Sequence, residues 1–146
     1  MKKAIMVFAF VMSVVSISFT QQVKDYKGHL IDAKGDIYFN GTKIGNVSKN
    51  QFIKDAKGQK VGFIDNQGNL TDGNGKKLGH WGKDGKTYYD ANENIMLKVV
   101  DNKDETCNVY DAKGKKIGNV HDSYKSVACA IHCFDKNMSM KDHTKH

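Results

Sequence analysis

The chain has 146 residues, with 23 Lys and no Arg against 16 acidic residues, a formal charge of +7, three Cys and no Pro. That length fits one domain. The missing guanidinium fork argues against nucleic acid as a partner, and the Lys residues recur at turns as a solvated surface does.

Residues 1–20 begin with Lys2-Lys3, continue through a run of about 16 mostly apolar residues and end in small residues, with Ser18 and Thr20 at the −3 and −1 positions of a cleavage site. The run is short for a membrane span, and no Cys stands at the cleavage point to take a lipid, so no stable membrane anchor is expected. The reading is a signal peptide cleaved near Thr20, a mature chain starting near Gln21, and a secreted or periplasmic location. About 21 Lys then face 16 acids, leaving a charge of about +5.

The segment 21–31 holds a partial turn signal, Asp25-Tyr-Lys-Gly28, followed by His29-Leu-Ile31, which reads as half a repeat pairing with the closing end of a ring. Five related segments follow: FNGTKIGNV (39–47), DAKGQKVGFI (55–64), DGNGKKLGHW (72–81), DANENIMLKV (90–99) and DAKGKKIGNV (111–120). Their turn-closing positions are Gly41, Gly58, Gly75, Glu93 and Gly114, spaced by 17, 17, 18 and 21 residues. Such a period signals a repeat architecture. In Asp-x-x-Gly the carboxylate can take backbone amides and the Gly accepts positive φ. An apolar residue stands three places beyond each closing position, at Ile44, Val61, Leu78, Met96 and Ile117, and another three later, at Val47, Ile64, Trp81, Val99 and Val120. Residues three apart in a strand face opposite sides, so the Gly between them reads either as a bulge that turns both inward or as a site where another backbone comes close. A second set of turns, at Asp32–Gly35, Ser48–Asn50, Asp65–Gly68, Lys83–Gly85 and Asp101–Asp104, leaves two short strands per repeat. The prediction is all-β: five hairpins of about 17–21 residues closed into a ring, the fourth the most irregular because Glu93 and Leu97 replace Gly. Residues 123–134 read as a closing strand, with an amphipathic helix as the alternative. From residue 135 to 146 the chain is polar and expected to be disordered.

The whole period, together with the tail Ser126-Val-Ala-Cys-Ala-Ile-His-Cys-Phe134, resembles the five-fold β-flower proteins of secreted bacterial origin over about residues 28–134. Those proteins have Asp-Ser-Asn-Gly-like turns and a tail similar to Trp-Ala-Ala-Val-Phe-Phe, in place of which this chain brings two Cys and a His. The resemblance implies a fold and no particular activity.

The chemistry on offer is sparse. Cys107, Cys129, His132 and Cys133 would suit Zn²⁺ only if the tail is helical; on a strand Cys129 and Cys133 lie about 13 Å apart. An exported chain argues instead for one disulfide, Cys107 with Cys129 or Cys133, and one spare thiol. His121-Asp122-Ser123 are adjacent and cannot surround one another as a triad. Asp65, Asp72 and Asp101 lack the ligand spacing of a Ca²⁺ loop. Trp81 beside His80 reads as core packing before sugar stacking, and Tyr38, Tyr88, Tyr89 and Tyr110 are candidates for shallow contacts wherever they are exposed, with packing between blades as the equal alternative. No catalytic, metal or cofactor site is therefore assigned. The expected role is a small exported non-catalytic structural or binding module, with a protein or glycan as partner; the alternative is a hydrolase-like extracytoplasmic enzyme with its site at one mouth of the ring. N-terminal sequencing of exported material is expected to begin between Phe19 and Gln21, and recovery of intact Met1 from membranes would contradict the leader assignment.

Overall fold

In the computed structural model, which describes residues 24–134, the chain forms eleven strands closed into one barrel. The expected leader, the expected mature start near Gln21 and the tail 135–146, expected to be disordered, lie outside the described residues. The strands are β1 (His29–Ile31), β2 (Asp36–Phe39), β3 (Thr42–Val47), β4 (Phe52–Asp55), β5 (Lys60–Ile64), β6 (Asn69–Asp72), β7 (Lys77–Trp81), β8 (Thr87–Asp90), β9 (Ile95–Asp101), β10 (Thr106–Asp111) and β11 (Lys116–His121). Each pairs antiparallel with its sequence neighbours. An up-and-down ring with an odd number of strands must join two that run the same way. The seam is β1 against β11, parallel, with His29, Leu30 and Ile31 opposite Gly118, Asn119 and Val120.

Tight turns make this ring possible. Asp55 Oδ1 accepts from the backbone N–H groups of Lys57 and Gln59, both at 2.9 Å, and Gly58 follows at φ +80°. The same arrangement recurs at Asp32, Asp65, Asp72, Asp90 and Asp111. Each carboxylate satisfies two amides that the turn would otherwise leave unpaired.

The bulge is displaced by one residue from the expected position. Ile37 pairs with Gly45 and Tyr38 with Lys43, so Ile44 is the extra residue. Val61, Leu78, Met96 and Ile117 are extra in the same way in the four later pairs. These five residues are half-buried. The Gly beside each faces the bore instead, opposite Ile37, Ile53, Leu70 or Val109, all fully buried; in the remaining pair Leu97 takes the Gly position opposite Tyr88. The inward layers are thus Ile37, Ile53, Leu70, Tyr88 and Val109 on the first strands, and Val47, Ile64, Val99 and Val120 on the second.

The tail does not form a closing strand. Residues Asp122–Ala130 make a 3-10 helix, kinked at Tyr124, that runs into a short α-helix, Ile131–Phe134. Once β1 meets β11 the sheet has no free edge, so an added segment finds no strand partner and must satisfy its own backbone groups. Val127, Ala128, Cys129, Ala130 and Ile131 are at most 5% exposed and belong to the same core as the barrel's inward side chains. The glycines make the room: a Cβ on Gly62 would stand 2.8 Å from Cys133 Sγ, and one on Gly45 2.7 Å from Phe134 Cζ.

Among the described residues no helix is long and apolar enough to cross a membrane. Ile53→Ala is expected to cost about 2–4 kcal/mol of stability in urea unfolding. Val61→Ala, at a half-buried bulge, is expected to cost clearly less, and equal losses would contradict the inward assignment.

Candidate functional site

Most of the carboxylates are already employed. The turn aspartates accept backbone amides, and hydrogen bonds from the Asn69 amide and backbone hold Asp65 below the usual carboxylate range. Neither Asp65 nor Asp72 points its oxygens at a common centre.

One cluster does converge. Along β9, β10 and β11 every second residue faces the bore, which places Asp101 two beyond Val99, Cys107 two before Val109 and Asp122 two beyond Val120. All three therefore meet at the mouth where the tail enters. Cys107 Sγ lies 3.0 Å from Asp122 Oδ1 and 3.3 Å from Asp101 Oδ1, and their donor atoms all fall within 4.8 Å of one another. Cys107 is fully buried, and burial, followed by the hydrogen bonds to Asp122 and Asp101, pushes its thiol up to about 12. The Lys125 ammonium donates to Asp101 Oδ1 at 2.5 Å and Lys86 Nζ stands 3.8 Å from Oδ2. The hydrogen bond from Lys125, ahead of that from Cys107, holds Asp101 below its ordinary range. A thiol and two carboxylates are a donor set for a divalent ion, but lysine already supplies the counter-charge. Next to this cluster, His121 Nδ1 accepts the Ser123 amide at 3.2 Å and caps the 3-10 helix. His121 and Ser123 thus serve the chain's change of direction, while the Asp122 carboxylate turns to Cys107.

The tail cysteines occupy the bore. Although this segment is helical, Cys129, His132 and Cys133 do not bring their donor atoms together; among the described residues only the Asp101, Cys107 and Asp122 group does so. The expected bridge between Cys107 and Cys129 or Cys133 is not formed, and all three are free thiols. The reason is register: Cys107 faces carboxylates at the mouth, while Cys133 lies further along the tail beneath Gly62. Desolvation raises Cys129 strongly and pushes Cys133 up to about 12. Tyr88 is fully buried, with Oη within hydrogen-bond distance of His132 Nδ1 at 3.0 Å, and desolvation raises its phenol above the ordinary value. That removes Tyr88 from the surface contacts anticipated for it. Trp81 is half-buried against the core, and its indole N–H donates to the Ser126 carbonyl at 2.8 Å, tying β7 to the tail.

The outer wall offers the remaining surface. Tyr38, Tyr89 and Tyr110 are half-buried there. The rings of Phe52 and Phe63 meet at a tilt of 37° with centroids 5.0 Å apart, and Lys60 Nζ sits 3.8 Å over the Phe52 ring. Where β3 and β4 pair over only three residues, an open groove of about 440 Å³ lies between Lys43, Asn46, Lys54 and Asp55.

Alkylation of the unreduced protein in denaturant is expected to modify three thiols, with Cys107 and Cys129 reacting slowly in the native state because they are buried and protonated. Modification of one thiol alone would show a bridge.

Comparison with protein-family models, with curated proteins and with solved structures finds no match to this chain.

Proposed function

We propose that this protein is a small exported structural or binding module without catalytic activity, and that its barrel is a five-hairpin ring of the β-flower type carrying one additional strand. The observation that carries the reading is the filled bore. A barrel of this size would hold a ligand in its interior, and here that interior is taken by the protein's own Val127–Ile131, none of which is more than 5% exposed. Recognition then falls to the outer wall, where half-buried Tyr38, Tyr89 and Tyr110 and the β3–β4 groove supply shallow contacts for a protein or glycan. Partners of that kind bind through modest area and few anchors, so weak affinity follows. The absence of Arg continues to argue against nucleic acid.

The hydrolase-like alternative would rest on the mouth where Asp101, Cys107 and Asp122 meet. A nucleophilic thiol needs a lowered pKa and an adjacent base, whereas burial and two neighbouring carboxylates hold Cys107 in the opposite state. Screening the mature protein against glycan arrays and in pull-downs is expected to give binding weakened in a Tyr89→Ala or Tyr110→Ala variant. The parallel test is a hydrolase-substrate screen of the wild type beside a His121→Ala/Asp122→Ala variant. Turnover that disappears in the variant would overturn the non-catalytic reading.

A further inference from the structure

Glu93 is the one residue that breaks the pattern of the five main turns. The equivalent positions hold Gly41, Gly58, Gly75 and Gly114 at φ +80° to +83°, and Glu93 takes the same left-handed conformation at φ +63°. A side chain there is strained, since Cβ crowds the backbone in that region, and Gly would relieve it. The side chain has a partner on the neighbouring wall. Glu93 Oε1 and Oε2 lie 2.9 and 3.0 Å from His80 Nε2 on β7. The other ring nitrogen, Nδ1, lies 3.1 Å from the Trp81 carbonyl oxygen.

Both nitrogens of His80 therefore face groups that only accept. A neutral imidazole has one N–H and one lone pair, so it would set that lone pair against an oxygen whichever tautomer it chose. The arrangement is satisfied only by the imidazolium, which donates from both positions. We propose that His80 and Glu93 form a pH-dependent clasp that fastens the Asp90–Asn94 turn to β7, closed while His80 holds two ring protons and released when it loses one.

The surrounding charges are few. On β7 itself Lys77 opposes the second proton, and partial burial opposes it as well. From β8, Tyr89 pairs with His80 in register and stacks on its ring with centroids 5.5 Å apart, at an interplanar angle of 23°. From β6 the register partner is Asn69, whose amide is turned to Asp65. The Glu93 hydrogen bond and then the Trp81 carbonyl outweigh these and raise His80 above its ordinary value. A folded-state pKa above the unfolded one contributes stability that is complete below about pH 6.5 and is lost as pH rises through the folded-state value. Above it, Glu93 keeps the strain of its left-handed backbone without the contact that offsets it.

The test is an NMR titration of the His80 ring in wild type, Glu93→Gln and Glu93→Gly, with hydrogen exchange at the Glu93 amide, which the turn closes onto the Asp90 carbonyl. The expected result is a wild-type His80 pKa above the ordinary histidine value that falls in both variants. Opening at the Glu93 amide in the wild type, corrected for intrinsic exchange, is expected to increase as His80 deprotonates. In Glu93→Gly the turn is expected to stay closed and to lose that dependence, because Gly removes the clasp and the strain together and so keeps the fold intact. A His80 pKa at or below the ordinary value in wild type, an identical pKa in all three proteins, or turn opening that follows pH equally in Glu93→Gly would each overturn the clasp.

Discussion

Edge closure is the constraint on which the rest of this structure depends. An odd number of up-and-down strands can close only by a parallel seam, and β1 supplies the three residues that make it against β11. With the edge consumed, the chain after His121 has no strand to pair with, and its apolar residues still need burial. A narrow helix inside the ring meets both demands: its hydrogen bonds are internal, and Val127 through Ile131 supply the apolar filling that a ring of short strands cannot provide from its own walls. Gly45 and Gly62, opposite Ile37 and Ile53, follow from that choice, because a Cβ on either would run into Phe134 or Cys133 of the tail, whereas Gly79 and Gly118 lie against Tyr88 and Tyr89 and against His29 of the seam. Where Leu97 replaces the glycine, the wall carries two large residues, Tyr88 and Leu97, and the packing is asymmetric.

The turns were the most legible part of the sequence. Asp at one position and Gly three later has a local meaning that needs no tertiary knowledge, and every such motif from Asp32 to Gly114 forms the turn expected of it. The partial segment at His29–Ile31 was legible for the same reason, since it follows a turn signal and must pair somewhere in a ring. The bulge was misplaced by one residue because apolar character at both Ile44 and Val47 suggested a shared inward face. The half-buried bulge residue is apolar for a different reason: it packs against the core from the side, and the true inward residue is the glycine next to it.

The tail and the mouth cluster were hidden by different causes. Alternation in Ser126–Phe134 is too weak to choose between strand and helix, and the choice is made by edge availability, a property of the closed sheet that local sequence does not carry. The meeting of Asp101, Cys107 and Asp122 was in principle readable, since each continues the inward alternation of a strand whose core residues are Val99, Val109 and Val120. It escapes a reading that takes Asp101 as a turn residue, Asp122 as one of an adjacent triplet and Cys107 as half of a bridge. The free thiols show how far register outweighs composition, for two cysteines bond only if the walls that carry them bring their sulfurs together.

The parallel seam also has a meaning in time. Its two members are the first and the last strands of the ring, at His29 and Gly118, so a chain emerging from synthesis holds no closed ring until both are present. Until then up to ten strands form a ribbon with two raw edges, each able to accept a strand from another molecule as readily as its own partner. A second copy completing the seam in trans would produce a swapped dimer with every contact of the monomer intact. Three residue pairs decide between the two outcomes, and with so short a zip the balance is set by chain concentration and by how quickly the buried tail drops into place behind it.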